Sequence, residues 1–148
     1  MKPSKLYGQN TFYRAFELDL RRAKNEVIIE SPFITSRRIH LLLPLLSKLR
    51  RRGVAIIINT RDPGEHDGIY RCQALDAVIA MQELGMQVLY TSGHHRKLAI
   101  IDRQIFYEGS LNILSFLDSC EIMRRIVSSV EATQLLKFIG ITKYVGRA

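Results

Sequence analysis

A chain of 148 residues is the size of one domain and can bury a hydrophobic core without disulfide or metal staples. Its 22 Lys plus Arg against 14 Asp plus Glu leave a formal charge of +8, which predisposes the surface toward polyanions such as nucleic acid or acidic membranes. Only Cys72 and Cys120 could form a thiol site, and no C-x-x-C or His-Cys spacing accompanies them. A zinc module or disulfide framework is therefore excluded, and both read as reduced, buried thiols.

Asn10-Thr11 offers a cap, and Phe12, Phe16 and Leu20 recur at helical spacing, so a first helix is expected from about Thr11 to Asn25. The basic start, Met1 to Lys5, leads into no apolar signal core, and no stretch approaches the roughly 18 apolar residues of a membrane span. A soluble, cytoplasmic chain is expected. Its opening polar dozen suits a small complete protein or a domain of a longer one equally well. The β-branched run from Glu26 to Ile34, ended by Pro32, predicts a buried strand of about six residues.

Ser36 is placed to cap a second helix carrying Ile39, Leu42, Leu43, Leu46 and Leu49 inward, with Arg50-Arg51-Arg52-Gly53 as its stop. Pro44 within it predicts a kink or a late start. The arginine triplet reads as a solvated helix end rather than a DNA contact. Val54 to Thr60 forms the next strand, and Arg61 to Gly68 is a loop of turn formers. That loop begins where α/β sheets bind ligands, beyond a strand's carboxyl end. A metal site built from Asp62, His66 and Asp67 is disfavoured, because no regular spacing converges them.

Tyr70 to Leu84 predicts a third helix, Met86 to Tyr90 a short strand, and Arg96 to Ile101 with Gln104 to Glu108 a tight hairpin turning at Asp102-Arg103. A loop from Gly109 to Asp118, a strand from Glu121 to Val127, and a last helix to about Phe138, boxed by Ser128 and Glu131, complete the chain. Strands alternating with helices and followed by a hairpin describe one α/β domain over residues 1–148. Its architecture is a layered α/β/α arrangement with a mixed β-sheet flanked by helices.

Chemistry concentrates in His95-x-Lys97-x4-Asp102-x6-Gly109-Ser110-x-Asn112, which occurs once. On a strand, His95 and Lys97 share a face, placing an imidazole beside an ammonium. A neutral imidazole is a nucleophile toward phosphorus, and the ammonium holds non-bridging oxygens and stabilises the transition state. Ser110 and Asn112 supply uncharged donors. One histidine cannot be nucleophile and acid at once, so two are needed, and a two-fold homodimer would bring a second His95 and Lys97 to the same phosphate.

These six residues resemble the HKD signature of the phospholipase D superfamily. The likeness is specific over about residues 94–123 and at the level of fold elsewhere. It implies a phospholipase D-like fold and a two-step displacement needing no metal or other cofactor. His95 of one protomer attacks phosphorus, and its mate protonates the leaving group. Lys97, Ser110 and Asn112 bind phosphate, Asp102 orders the site, and Glu121 hydrogen-bonds the nucleophile. Members of this size with one motif pair as homodimers and include nucleases. Weaker likeness, at Ser31 to Ile34 and Arg52 to Val54, is to HKD domains attached to helicase-like ATPases, so an ATPase or helicase partner stays open.

Several residues have plainer readings. Asp102 serves as the hairpin's turn residue, and Glu121 as a partner of Arg124 or Arg125. His94 is a loop histidine outside the motif. Tyr70, Tyr90 and Tyr107 could stack on bases in a single-strand groove or fill core and boundary positions.

The expected function is a phosphodiesterase acting on nucleic acid, DNA more than RNA, as an endonuclease. A phospholipid hydrolase is the alternative, for which an apolar mouth is expected and none is evident. A third reading is a non-catalytic nucleic-acid-binding module of a helicase or restriction protein, and the intact motif argues against it.

Overall fold

The structure is a computed structural model that describes residues 4–116 and 119–141. The elements are β1 (Ser4–Gly8), α1 (Phe12–Arg21), β2 (Glu26–Glu30), α2 (Ser36–Arg51), β3 (Ala55–Arg61), α3 (Gly68–Glu83) and β4 (Gln87–Thr91). Then come β5 (Leu98–Ile101), β6 (Ile105–Gly109), β7 (Ile122–Val127) and α4 (Ser129–Ile139). The expected loop from Gly109 to Asp118 reaches residues 117 and 118, which lie outside the described residues, as do 1–3 of the basic start.

The seven strands form one mixed sheet in the order β1-β7-β6-β5-β2-β3-β4. Strands β2, β3 and β4 are parallel, joined by α2 and α3, while β5, β6, β7 and β1 continue antiparallel from β2. Helices α1, α2 and α3 pack on one face against Val27, Ile29, Ile56, Ile58, Ala99 and Tyr107. Helix α4 packs on the other against Ile28, Ile57, Ile100 and Phe106. Burial on both faces is why β2 and β3 carry unbroken apolar runs instead of alternation. The expected α/β/α layering is present.

Differences from the sequence expectation have local causes. Strand β1, unanticipated in the polar start, is an edge strand with part of each face in water, so it lacks an apolar stripe. Helix α2 runs unbroken through Pro44, which is exposed, so water can reach the carbonyl left unbonded four residues earlier at exposed His40. Its N-cap is Thr35 and not Ser36, and the Thr35 hydroxyl accepts from the Phe116 amide (3.1 Å). Cys72 and Cys120 are exposed, correcting the expectation of buried thiols: one lies on the outer side of α3 and the other in the loop before β7.

The arginine triplet is partly internal. Arg50 donates to the Leu84 and Val54 carbonyls, and Arg52 to those of Arg21 and Ala23. Helix α4 begins with the expected cap, the Ser128 hydroxyl accepting from the Glu131 amide at 3.1 Å. Tyr107 is a core residue, edge-on to Phe12 and Phe16, its hydroxyl donating to the buried Asp19 carboxylate that Arg125 also holds. It is unavailable for base stacking. Among the described residues, no helix is long and apolar enough to cross a membrane.

Candidate active site

The carboxyl ends of β2, β3 and β4 share one edge of the sheet. Because β5 is antiparallel to β2, its amino end lies there too. Pairing of β5 with β2 stops at Leu98 opposite Glu30, because Ser31-Pro32 turns β2's chain away. His95 and Lys97 therefore sit in an extended lead-in just before β5 and not on the strand as expected. His95 is exposed and Lys97 half-buried.

Two contacts shape this lead-in. The Lys97 ammonium donates to the His95 carbonyl at 2.7 Å, keeping the two residues together. Between them Arg96 turns inward and grips Glu30 with two hydrogen bonds, Nε to Oε1 at 2.8 Å and Nη2 to Oε2 at 3.0 Å. Glu30 is 0% exposed and also accepts from Asn59 Nδ2 (2.6 Å), while Asn59 Oδ1 accepts from the Thr91 hydroxyl (2.8 Å). A buried carboxylate needs this degree of compensation. Its signal in the sequence is a Glu closing an apolar strand.

The other half of the motif follows β6. A Cβ on Gly109 would lie 2.1 Å from the Ile122 carbonyl oxygen, so only glycine allows β6 and the start of β7 to approach this closely. Ser110 continues the contact: its amide donates to the Ile122 carbonyl (2.9 Å) and its hydroxyl accepts from the Ile122 amide (3.0 Å). Asn112 Oδ1 accepts from the Phe33 amide (3.4 Å), tying the loop to the segment after β2.

That tie is one of several. The Leu114 amide donates to Ser31 Oγ (3.1 Å), the Thr35 amide to the Leu114 carbonyl (3.0 Å), and Tyr13 to the Ser115 carbonyl (3.0 Å). Beneath them Arg38, 1% exposed, donates to the Ile113 carbonyl and Glu17 and lies over the rings of Tyr13 and Phe116. A buried cation thus fixes the loop that bears Asn112.

Glu121 is half-buried and lines a small recess with Asn112, Tyr13 and Ser115, its Oε1 accepting from Ser119 (2.9 Å). It is close enough to Lys97 to matter electrostatically. Burial lowers the Lys97 proton affinity, Glu121 opposes that shift, and Arg61 adds to it. No ion pair joins Glu121 to Arg124 or Arg125 among the described residues; Arg125 is held by Asp19. The structure therefore brings His95, Lys97, Ser110, Asn112 and Glu121 to one edge.

Asp102 does not join them. It lies at the far end of β5, in a turn where Asp102 and Arg103 both have positive φ (54° and 53°). Its carboxylate accepts from three backbone amides, Lys24 (2.9 Å), Asn25 (2.8 Å) and Glu26 (3.0 Å). The expectation that Asp102 orders the site is corrected: its oxygens are committed to the start of β2, one strand length away.

His94, set aside by its position outside the motif, is 3% exposed, and its Nε2 has no hydrogen-bond partner among the described residues. Burial first, then the charges of Arg96, Lys97, Arg61 and His95, push its pKa down to about 4, so it is neutral at physiological pH. Its carbonyl accepts from Arg61 Nε (3.2 Å), and the loop of residues 61–66 is pinned nearby by the Gly93 amide donating to Glu65 (2.9 Å). Among the described residues, no group of three or more His, Cys, Asp or Glu is placed to hold a metal ion.

On the α4 side, a groove of about 560 Å³ begins at Arg96 and Lys97 and runs between Leu6, Ile122 and Phe138. Phe138 is 81% exposed. An apolar mouth beside the site, which the sequence had not revealed, is therefore present; its residues are scattered over β1, β7 and α4.

A family model described as cardiolipin synthase, PLD-like domain, matches residues 18–139. Among solved structures, the fold is similar to that of Nuc from Salmonella typhimurium, a phospholipase D family member, with TM-score 0.75, 17% identity, and 97% of each chain covered. NucT from Helicobacter pylori is similar with TM-score 0.73 and 16% identity over 97% of this chain and 98% of that one. TrmBL2, an archaeal chromatin protein, matches with TM-score 0.67 and 13% identity over 100% of this chain and 55% of that one. No curated protein sequence matches the chain.

Proposed function

The chain belongs to the family of phospholipase D-like domains, and from that premise we propose that it is a phosphodiesterase that cuts DNA as an endonuclease through a phosphohistidine. The observation that carries this reading is the pairing at one sheet edge of exposed His95 with Lys97, opposite Ser110, Asn112 and Glu121. The neutral imidazole of His95 attacks phosphorus, the P–O bond to the leaving group breaks, and a second, protonated His95 donates its proton to the departing oxygen. Water then attacks the phosphohistidine, giving up a proton to that second imidazole, and both histidines return to their starting states. Lys97 and the polar groups of Ser110 and Asn112 hold the non-bridging oxygens. In this reading Glu121, near enough to Lys97 to oppose the fall in its proton affinity, orients the attacking imidazole.

The second His95 comes from a second copy of the chain related by a two-fold axis through the phosphate. The apolar groove that starts at Lys97 supports this, since a partner brought up to that lysine would cover it. The +8 charge favours nucleic acid, whose binding gains from counterion release. Arg61 and Arg124 add positive charge around the edge.

A phospholipid diester is the second reading, and the same groove is the observation in its favour, with Phe138 and Ile122 as an acyl-chain contact.

The test uses purified protein on a labelled DNA oligonucleotide in EDTA and on anionic phospholipid vesicles. Cleavage of DNA that persists in EDTA, disappears in His95→Ala and leaves an acid-labile, base-stable phosphate on His95 is the expected result. A strict magnesium requirement, or wild-type cutting by His95→Ala, overturns the mechanism. Hydrolysis of the vesicles with DNA left intact selects the lipid reading.

A further inference from the structure

Beside the His95 edge lies an aromatic and cationic cluster that takes no part in the bond-breaking steps proposed above. Phe33 sits in the segment after β2, half-buried, with its ring centroid 5.0 Å from His66 and 6.0 Å from Tyr70, the latter edge-on at 74°. The Arg61 guanidinium lies 5.6 Å from the same ring. His66 is buried and serves as backing, whereas Tyr70 is 40% exposed.

The cluster is bonded to the site from two directions. The Phe33 backbone amide donates to Asn112 Oδ1, and Arg61 Nε donates to the carbonyl of His94, the residue before His95. Arg61 is also near enough to lower the proton affinity of Lys97. Neither Phe33 nor Tyr70 is needed to close the main core, which is assembled from other residues.

We propose that Phe33, Tyr70 and Arg61 form a platform on which one unpaired nucleobase next to the scissile phosphate stacks, so that the site selects single-stranded over double-stranded nucleic acid. The proposal rests on the nuclease reading above. The exposed Tyr70 ring, packed on Phe33 whose amide bonds the phosphate-binding asparagine, suits a base, because every base offers a π-face, and the Arg61 guanidinium over Phe33 supports both stacking and the backbone charge. In a duplex both faces of the base are already occupied by its neighbours, and freeing one means unstacking and unpairing it. Aromatic–base stacking is worth about 1–3 kcal/mol per base, so its loss corresponds to roughly a fivefold to hundredfold change in kcat/KM.

The experiment compares a DNA oligonucleotide carrying one cleavable phosphodiester, the same strand with an abasic residue on either side of that linkage, and its duplex. Each is cut by the wild type, Tyr70→Phe, Tyr70→Ala and Phe33→Leu, with folding checked by circular dichroism. The wild type is expected to cut the intact strand about tenfold or more faster than the abasic strand and the duplex. Tyr70→Phe should retain that ratio, and Tyr70→Ala and Phe33→Leu should bring it toward one. If the wild type cuts all three substrates equally, or if Tyr70→Ala and Phe33→Leu leave the ratio unchanged, the platform is refuted while the nuclease reading stands. If the wild type cuts none of them, the nuclease reading falls and the platform falls with it.

Discussion

Arg96 reaches from between His95 and Lys97 to Glu30 with bonds of 2.8 and 3.0 Å, so the segment bearing the reactive imidazole is anchored to a carboxylate with no solvent exposure. Arg96 itself stays partly in water, so what holds the segment is the grip of its guanidinium on buried Glu30, with His95 and Lys97 on either side.

Removing Arg96 leaves Glu30 with only Asn59 as a side-chain partner among the described residues. Arg96→Ala should cost about 2 kcal/mol in denaturant unfolding, less than the 3–5 kcal/mol of a fully buried pair because the Arg96 side chain is 41% exposed. Cleavage should fall chiefly in kcat. The double variant Arg96→Met/Glu30→Leu should regain stability without regaining activity, which separates positioning of His95 from folding.

Asp102→Asn should do the reverse. The three amides of Lys24, Asn25 and Glu26 would meet a neutral amide, one of whose ends is a donor, costing about 1–3 kcal/mol by denaturant titration. Cleavage measured well below the melting temperature should stay near wild type. A large kcat loss in the folded variant would return Asp102 to the catalytic machinery.

His94 links stability to acid. Its folded pKa of about 4 lies below the ordinary 6.5, so the unfolded chain binds the extra proton between those values, and stability contributed by neutral His94 is lost as pH falls from 6.5 toward 4. The full shift corresponds to at most about 3 kcal/mol. His94→Gln should flatten that part of the stability–pH curve, measured by denaturant midpoints at successive pH values.

Phe138→Asp places a charge in the groove beside Lys97. Sedimentation should show the wild type as a dimer and the variant as a monomer, and phosphodiesterase activity should fall with dimer content although His95 is untouched. A fully active monomer would sink the shared site.

Much of the fold could be read from local pattern, because β2, β3 and helices α1 to α4 carry apolar periodicity or capping residues within a few positions of one another. What was hidden depends on distant partners. Asp102 has the turn chemistry expected of it, but its acceptor role toward residues 24–26 spans more than seventy positions. His94 reads from the sequence as a loop histidine outside the motif, and its burial depends on the contact with Arg61 and the 61–66 loop. Glu30, Phe33 and Arg38 carry no motif or spacing of their own, since their importance lies in what folds over them. The groove could not be seen because its walls come from β1, β7 and α4.

Lys97 and Gly109 face each other across the β5–β6 hairpin, the Gly109 amide donating to the Lys97 carbonyl at 3.3 Å. The number of residues between the two halves of the motif is therefore a ruler: four strand residues out, a left-handed turn, and five back to the same edge. Lengthening one arm by a single residue would turn either the lysine or the serine to the wrong face of the sheet. Lengthening both arms together would carry the turn farther out and leave the reactive edge where it is.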